Sequence, residues 1–240
     1  MATLAAPRIE PPNARLIAPK WHTSLLIALF LTMALSGAFF QRHARAHSEM
    51  LQQHPNVVPL YLYLIAVEAG LFVFVWRGGL RRAGIKPSEL IGGRWTSAKD
   101  VLVDVALALG LWGSWTLIET SWVRWLGPGH AKSIQTLLPR SPLEILLWIA
   151  VSISAGICEE FVFRGYFQKQ FTAFTHSRWI ALVLQALLFG ISHGYQGIES
   201  CIRIALYGSL FGLLALWRKS LRPGMMAHAM SDILSGIFGI

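Results

Sequence analysis

Long apolar runs separated by short polar connections dominate this chain. A helix needs about 20 mainly apolar residues to cross a bilayer. Seven such runs are present, at residues 21–40, 57–76, 99–119, 143–165, 178–197, 202–217 and 223–240. A chain in lipid must satisfy its backbone hydrogen bonds internally, so runs of this length are expected to be helices. The pattern predicts an all-α, polytopic transmembrane helical bundle of about seven spans.

Composition agrees with a membrane protein and limits the domain organisation. Hydrophobic residues make up 54% of the 240 residues and charged residues only 14%, whereas soluble domains average about 25% charged. The longest polar connections, near 77–98 and 120–142, are too short to fold alone. We therefore expect a tail at 1–20, N-terminal membrane helices and loops at 21–140, and a functional helical core at 141–240.

The basic residues predict the orientation of the chain. A net charge of +9 could suggest nucleic-acid binding in a soluble protein. Counted by connection, however, fourteen Lys and Arg lie on the side of the N-terminus and six on the other side, with Arg164 left out because it lies inside a span. An excess of Lys and Arg marks cytoplasmic loops. We predict a cytoplasmic N-terminus, an external C-terminus, the lipid bilayer as partner and no nucleic acid.

Charged residues interrupt the fourth apolar run. Residues 158–165 read CEEFVFRG and place Glu159, Glu160 and Arg164 among apolar residues. Charged groups in hydrocarbon are costly and usually face a partner or a cavity. Glu160 and Arg164 are four residues apart on one helix face and can form an ion pair. Glu159 points about 100° away and remains available to take a proton from water. An ion pair that only locks helices together is the alternative.

Two further spans carry polar side chains at helical spacing. LLFGISHG places Phe189 and His193 four residues apart, and MMAHAMSD does the same for His228 and Asp232. Each pair shares a helix face. A lone histidine in a span usually only completes a hydrogen bond, but three spans with acid or histidine can enclose one cavity. A carboxylate base and two imidazoles suffice to hold and activate a water, which points to hydrolysis.

The three motifs resemble those of the CPBP, or Abi, membrane proteins, a family that includes the CAAX-processing endopeptidases of prenylated proteins. The family's motifs are EExxxR, FxxxH and HxxxN. Residues 159–164, 189–193 and 228–232 follow them in that order. The resemblance covers about residues 145–240, and the first 140 residues only through their hydrophobic character.

This resemblance implies a glutamic-type intramembrane protease. Its implied site residues are Glu159, His193, His228 and Asp232 as the catalytic set, with Glu160, Arg164 and Phe189 in support. The implied partners are membrane-anchored or lipidated protein substrates, and the expected location is the cytoplasmic (inner) membrane of a bacterium. Because the family also includes bacteriocin-immunity and scaffold proteins, a non-proteolytic role is the alternative. The sequence leaves the oligomeric state open.

One residue departs from the family's pattern. Asp232 stands where HxxxN has Asn. Asn can donate a hydrogen bond to an oxyanion, whereas an ionised Asp cannot. Asp232 is therefore protonated, or accepts a hydrogen bond from His228 or the water, or ligates a metal. Two histidines and nearby carboxylates also suit zinc. We expect no cofactor, with a zinc-dependent variant as the alternative.

Other polar positions receive plainer interpretations. Glu68 and Asp104 lie within spans and are expected to make packing hydrogen bonds, with Glu68 the one to test as a neighbour of the site. Trp148 and other tryptophans near span ends are expected to anchor the chain at the interface. Residues 80–95, LRRAGIKPSELIGGRW, predict an interfacial strip. Recognition of an anionic lipid or a substrate tail is the alternative for this segment.

The orientation can be tested with reporter fusions. We predict that a reporter fused after residue 88 is cytoplasmic and that one fused after residue 240 is external, because the basic connections lie on the N-terminal side. A connection at 77–98 that is accessible from outside would contradict the orientation. An even number of spans would contradict the boundary near 197–202.

Overall fold

The computed structural model is an all-helical bundle. It describes residues 15–51, 55–92, 94–127 and 137–238, so positions 1–14 of the expected tail lie outside the described residues. The helices are α1 (Lys20–Leu51), α2 (Val58–Val73), α3 (Pro87–Ile91), α4 (Ala98–Leu126), α5 (Pro142–Glu160), α6 (Gln168–Thr175), α7 (Arg178–Ser192), α8 (Ile198–Arg218) and α9 (Arg222–Phe238). Within the described ranges no strand occurs, and the predicted fold class is confirmed.

Within the part of the chain that the structure describes, four continuous helical stretches are long and apolar enough to cross a membrane. They are Val58–Ala83, which extends α2, then Ala98–Trp125, Pro142–Thr175, which joins α5 to α6, and Ile198–Arg218. Helix α7 is a shorter apolar helix. Each of the seven predicted spans falls on a helical segment, so the architecture is compatible with about seven spans.

The fourth span continues about ten residues beyond its predicted end, because the buried Gln170 of α6 finds partners near the start of the chain. The side chain of Gln170 accepts a hydrogen bond from the backbone N–H of Ile17 at 2.9 Å and donates to the carbonyl of Ala18 at 2.9 Å. A buried side-chain amide is tolerated inside the bundle when its donor and acceptor groups form hydrogen bonds. These bonds fix α6 against the segment that precedes α1.

The basic connections meet at one end of the bundle. The backbone N–H of Leu221, between α8 and α9, donates to the carbonyl of Ile91 in α3 at 2.9 Å. At the opposite end, Arg203 near the start of α8 forms an ion pair with Glu119 near the end of α4. Helices α4 and α8 therefore run antiparallel, and the connections that the charge count placed on one side lie together.

Close packing between α5 and α9 brings the last helix against the acidic motif. A Cβ on Gly156 would lie 2.8 Å from both the backbone nitrogen of Ala229 and the carbonyl oxygen of Met225. A Cβ on Gly224 would lie 3.0 Å from Oε2 of Glu160. Only glycine allows such close approach of two backbones without a shift. The small residues therefore set the distance between the acids of α5 and the histidine of α9.

Candidate active site

The acidic motif lies where the fourth span changes its helical winding. Helix α5 ends at Glu160, and the backbone winds as a π-helix over Phe161–Phe167 before α6 begins. All seven residues of this π segment are buried. The ring centre of Phe163 lies 4.8 Å from that of Phe189 in α7. π-helical turns inside α-helices occur frequently at functional sites. The segment holds the motif rigidly in the core of the bundle.

The predicted ion pair between Glu160 and Arg164 is present. Arg164 Nη1 lies 2.9 Å from Glu160 Oε1, and both side chains are almost completely buried. The guanidinium also lies 4.2 Å from the ring centre of Phe189 and 5.0 Å from that of Phe211. A buried charge requires such compensation from a counter-charge and from aromatic faces.

Glu160 also contacts the last helix, which the sequence did not indicate. Nδ1 of His228 lies 3.1 Å from Glu160 Oε1, the oxygen that pairs with Arg164. A carboxylate that accepts from one ring nitrogen of a histidine fixes the orientation of the ring. Glu160 therefore holds Arg164 and His228 together. No helical spacing could have revealed this contact, because its two residues lie 68 positions apart.

The other ring nitrogen of His228 faces two carboxylates. Nε2 lies 3.7 Å from Glu159 Oε2 and 3.7 Å from Asp232 Oδ2. The side chains of Glu159 and Asp232 are 23% and 38% exposed, whereas that of His228 is 7% exposed. Glu159 Oε2 is shielded from solvent and has no hydrogen-bond donor among the described residues. This side of the site therefore has two partly exposed carboxylates, one of which keeps a shielded oxygen that accepts no hydrogen bond from a described residue.

His193 and Phe189 border the site from α7. His193 is the residue after α7, and its Nδ1 lies 2.9 Å from the carbonyl oxygen of Phe189. A carbonyl oxygen only accepts, so Nδ1–H donates to it. The Phe189 ring is 5.0 Å from the His193 ring and 6.0 Å from the His228 ring, edge to face in both cases. In the described part of the chain the two histidines are thus joined through Phe189 and not by direct contact. Six of the seven predicted residues are linked by contacts with one another, and His193 joins them only through Phe189.

Trp148 also contacts the site region, which its interpretation as an interfacial anchor did not include. Its indole Nε1–H donates to the carbonyl oxygen of Asp232 at 2.8 Å, and its ring packs 5.4 Å from that of Tyr61. Trp148 and Glu159 are eleven residues apart, close to three helical turns, and so share a face of α5. That spacing is the sequence signal that could have associated Trp148 with the motif.

Glu68 of α2 is a further neighbour of the site. Its carboxylate lies near Ser154 of α5 and interacts electrostatically with Glu159, Asp232 and His228. Its backbone carbonyl accepts from the thiol of Cys158 at 3.1 Å. Glu68 therefore does more than pack α2 against α5, since it adds a carboxylate beside the partly exposed side of the site.

The donor groups do not form a ready zinc site. Among the described residues, no group of three His, Cys, Asp or Glu side chains is arranged to hold a metal ion. Catalytic zinc is normally held by three protein ligands. The described side chains do not supply three such ligands as they are arranged.

The described chain is thus an all-helical bundle with helices long and apolar enough to span a membrane and with acids and histidines clustered in its core. Residues 141–234 match the family model described as Rce1-like, type II CAAX prenyl endopeptidase. This segment contains all three motifs, and the match confirms the resemblance to the CAAX protease family. No curated protein and no solved structure matches the chain.

The buried ion pair yields a prediction about stability. Arg164→Met leaves the carboxylate of Glu160 buried without its counter-charge, so we expect a loss of about 3–5 kcal/mol in the free energy of unfolding. Denaturation of the purified protein in detergent measures it. The exposed Arg81→Met is the matched control and should change stability by less than about 0.5 kcal/mol.

A double variant separates the ion pair from the packing of each side chain. In Glu160→Gln with Arg164→Met no unpaired charge remains, so the loss should be clearly smaller than the sum of the two single losses. Additive losses would show that the two charges do not interact in the folded protein.

Proposed function

We propose that this protein is an intramembrane endopeptidase that hydrolyses a peptide bond of a membrane-anchored or lipidated protein with a glutamate-activated water. One observation carries the proposal. Within the segment that matches the Rce1-like family model, Glu159 presents a shielded and unpartnered carboxylate oxygen 3.7 Å from Nε2 of His228. A positioned carboxylate of this kind is the general base that hydrolysis of an amide requires.

The reaction begins with proton transfer from water to Glu159. As the proton leaves, the water oxygen attacks the carbonyl carbon of the scissile peptide, and the carbonyl oxygen becomes an oxyanion. Glu159 then gives its proton to the leaving nitrogen as the C–N bond breaks. The products are a carboxylic acid and an amine, and the enzyme returns to its starting state. The step needs no serine or cysteine nucleophile and no covalent intermediate.

His228 orients and stabilises the reacting groups. Nδ1 is held by Glu160, so the ring cannot rotate freely. Nε2 lies 3.7 Å from both Glu159 and Asp232, which are acceptors, so a ring protonated on both nitrogens directs a donor toward this pair of carboxylates. In that form Nε2–H can donate to the water or to the oxyanion. Preorganised donors at a developing charge are often a large part of catalysis.

His193 supplies the second imidazole. Because its Nδ1–H donates to the backbone of Phe189, Nε2 is the nitrogen available to ligands. Neutral Nε2 accepts a hydrogen bond and can hold the water, whereas protonated Nε2 can donate to the oxyanion. Phe189 fixes its distance from His228 through edge-to-face contacts with both rings.

The substrate class follows from the surroundings of the site. A CAAX sequence ends in a cysteine-containing tail that carries a prenyl chain, and a lipid chain of this kind holds its protein at the bilayer. A site within the helices of a membrane protein meets such a substrate in the plane of the membrane. We therefore propose lipidated or membrane-anchored tails as substrates, with prenylated CAAX peptides as the first to assay.

The general base can be tested by removing its charge. Glu159→Gln keeps the shape of the side chain but cannot take a proton from water, so we expect cleavage of a fluorogenic prenylated CAAX peptide to fall at least about 100-fold. His193→Ala and His228→Ala should have comparable effects. Glu89→Gln, an exposed acid in α3 outside the site, is the matched control and should retain activity.

Each variant must be shown to be folded by an unchanged unfolding temperature in detergent. Near-normal turnover of folded Glu159→Gln would contradict the general-base assignment. A wild-type protein that cleaves no lipidated or membrane-anchored peptide, although folded in lipid, would favour the non-proteolytic alternative.

Asp232 distinguishes a glutamate-activated water from a zinc hydrolase. Asn has the size of Asp and keeps an acceptor, and it adds a donor for the oxyanion. If Asp232 only orients His228 or the water, Asp232→Asn should retain activity within about 10-fold of wild type. A zinc ligand, by contrast, cannot be replaced in this way without weakening the metal and slowing turnover sharply.

Metal analysis completes this comparison. We expect activity to persist after chelation and the preparation to contain no stoichiometric zinc. An active wild-type protein with one zinc per chain, inactivated by chelators, restored by added zinc and silenced by Asp232→Asn, would contradict the proposed mechanism.

A further inference from the structure

A cationic crevice lies at the end of the bundle where the basic connections meet. It has a volume of about 370 Å³ and lies between the start of α4, the segment before it and the turn from α8 to α9. Four basic side chains line it, Arg94, Arg218, Lys219 and Arg222, together with two acids, Asp100 and Asp104. It takes no part in the site described above, although α9 connects the two.

The two acids of the crevice are already engaged within the protein. Asp104 accepts from Arg218 Nε at 2.7 Å through one oxygen and from Trp95 Nε1 at 2.8 Å through the other. Asp100 caps the start of α4, where its Oδ2 accepts from the backbone and hydroxyl of Thr96. Their lone pairs are thus largely used by fixed donors. Two acids against four basic groups leave the crevice with a formal excess of two positive charges.

Two of the basic groups have no counter-charge. Arg94 and Lys219 are exposed and form no ion pair with any described residue. Lys219 is held at a left-handed backbone conformation, φ 54°, at the end of α8, which fixes its Cα in the turn. Arginine and lysine side chains are donors only, so the crevice selects a ligand that supplies several acceptors and negative charge.

The position of the crevice identifies the source of that ligand. Arg222 bonds to the carbonyl of Gly92 at 2.7 Å and lies 5.0 Å from the ring centre of Trp95, which is half-exposed. A tryptophan and arginines at the ends of membrane helices are typical of the headgroup region. The charge count predicts this end to be cytoplasmic, where anionic lipids attract basic segments.

We propose that this crevice binds the phosphate of an anionic phospholipid headgroup. Arg94 and Lys219 donate to the phosphate oxygens, and the cavity volume suits a headgroup better than a folded protein. The bound lipid bridges the start of α4 and the turn before α9. Because α9 carries His228 and Asp232, the headgroup also stabilises the helix that supplies half of the candidate site. This inference does not depend on the proposed proteolysis.

The test compares two double variants in lipid nanodiscs. Wild type, Arg94→Ala with Lys219→Ala, and Lys86→Ala with Lys99→Ala are each placed in phosphatidylcholine alone and with increasing phosphatidylglycerol. The control pair removes the same charge from exposed lysines on the same end that do not line the crevice. The unfolding temperature is followed as a function of the anionic lipid, which gives an apparent affinity.

We expect phosphatidylglycerol to raise the unfolding temperature of wild type and of the control pair. In the crevice variant the apparent affinity should fall about 10-fold or more, the loss expected for charge-assisted hydrogen bonds. Equal losses in both variants would overturn the proposal, because they would indicate general attraction to a charged surface. Equal stabilisation by inorganic phosphate in detergent would also overturn it, since a free anion would then be the ligand.

A substrate tail is the remaining competitor for the crevice. A peptide with a free C-terminal carboxylate, added to the phosphatidylglycerol nanodiscs, should leave the apparent lipid affinity unchanged. Displacement of the lipid by this peptide in wild type but not in the crevice variant would assign the crevice to the substrate instead.

Discussion

The buried ion pair between Glu160 and Arg164 is the constraint on which the candidate site depends. A charge taken from water into the interior of a membrane protein must be compensated nearly completely. The compensation comes from several helices at once: the two charges lie in the fourth span, the aromatic faces of Phe189 and Phe211 lie in α7 and α8, and His228 lies in α9. The groups that surround this one ion pair therefore come from four of the helical segments that form the core of the domain.

The same constraint distributes the roles of the two adjacent acids. Glu160 is committed on one oxygen to both Arg164 and His228. Glu159, on the next face of the helix, has a shielded oxygen with no donor within the described chain and faces the partly exposed side of the site. The structural acid and the proposed base are thus neighbours in the sequence that point in different directions, because a helix turns by about 100° per residue. The π-helical winding after Glu160 keeps Arg164 within reach while the chain continues through the core.

Several side chains with unremarkable sequence positions shape the site. Glu68 of α2 interacts electrostatically with Glu159. Trp148 of α5 donates to the backbone carbonyl of Asp232. The glycines at the contact between α5 and α9 also shape the site, because a side chain at Gly156 or Gly224 would push the two helices apart. The additional carboxylate of Glu68 and the replacement of Asn by Asp232 make this site more acidic than the family's motifs alone would suggest.

Sequence alone determined the helical class, the approximate spans and the residues of the three motifs, because these depend on apolar run length and on spacing within one helix. The Glu160–Arg164 pair was predictable for the same reason. Only the tertiary structure decided that Glu160 orients His228, that Trp148 binds the backbone of Asp232, and that Phe189 separates the two histidines. These contacts join residues on different helices, and their geometry is set by how closely the helices pack, which periodicity along one helix does not encode.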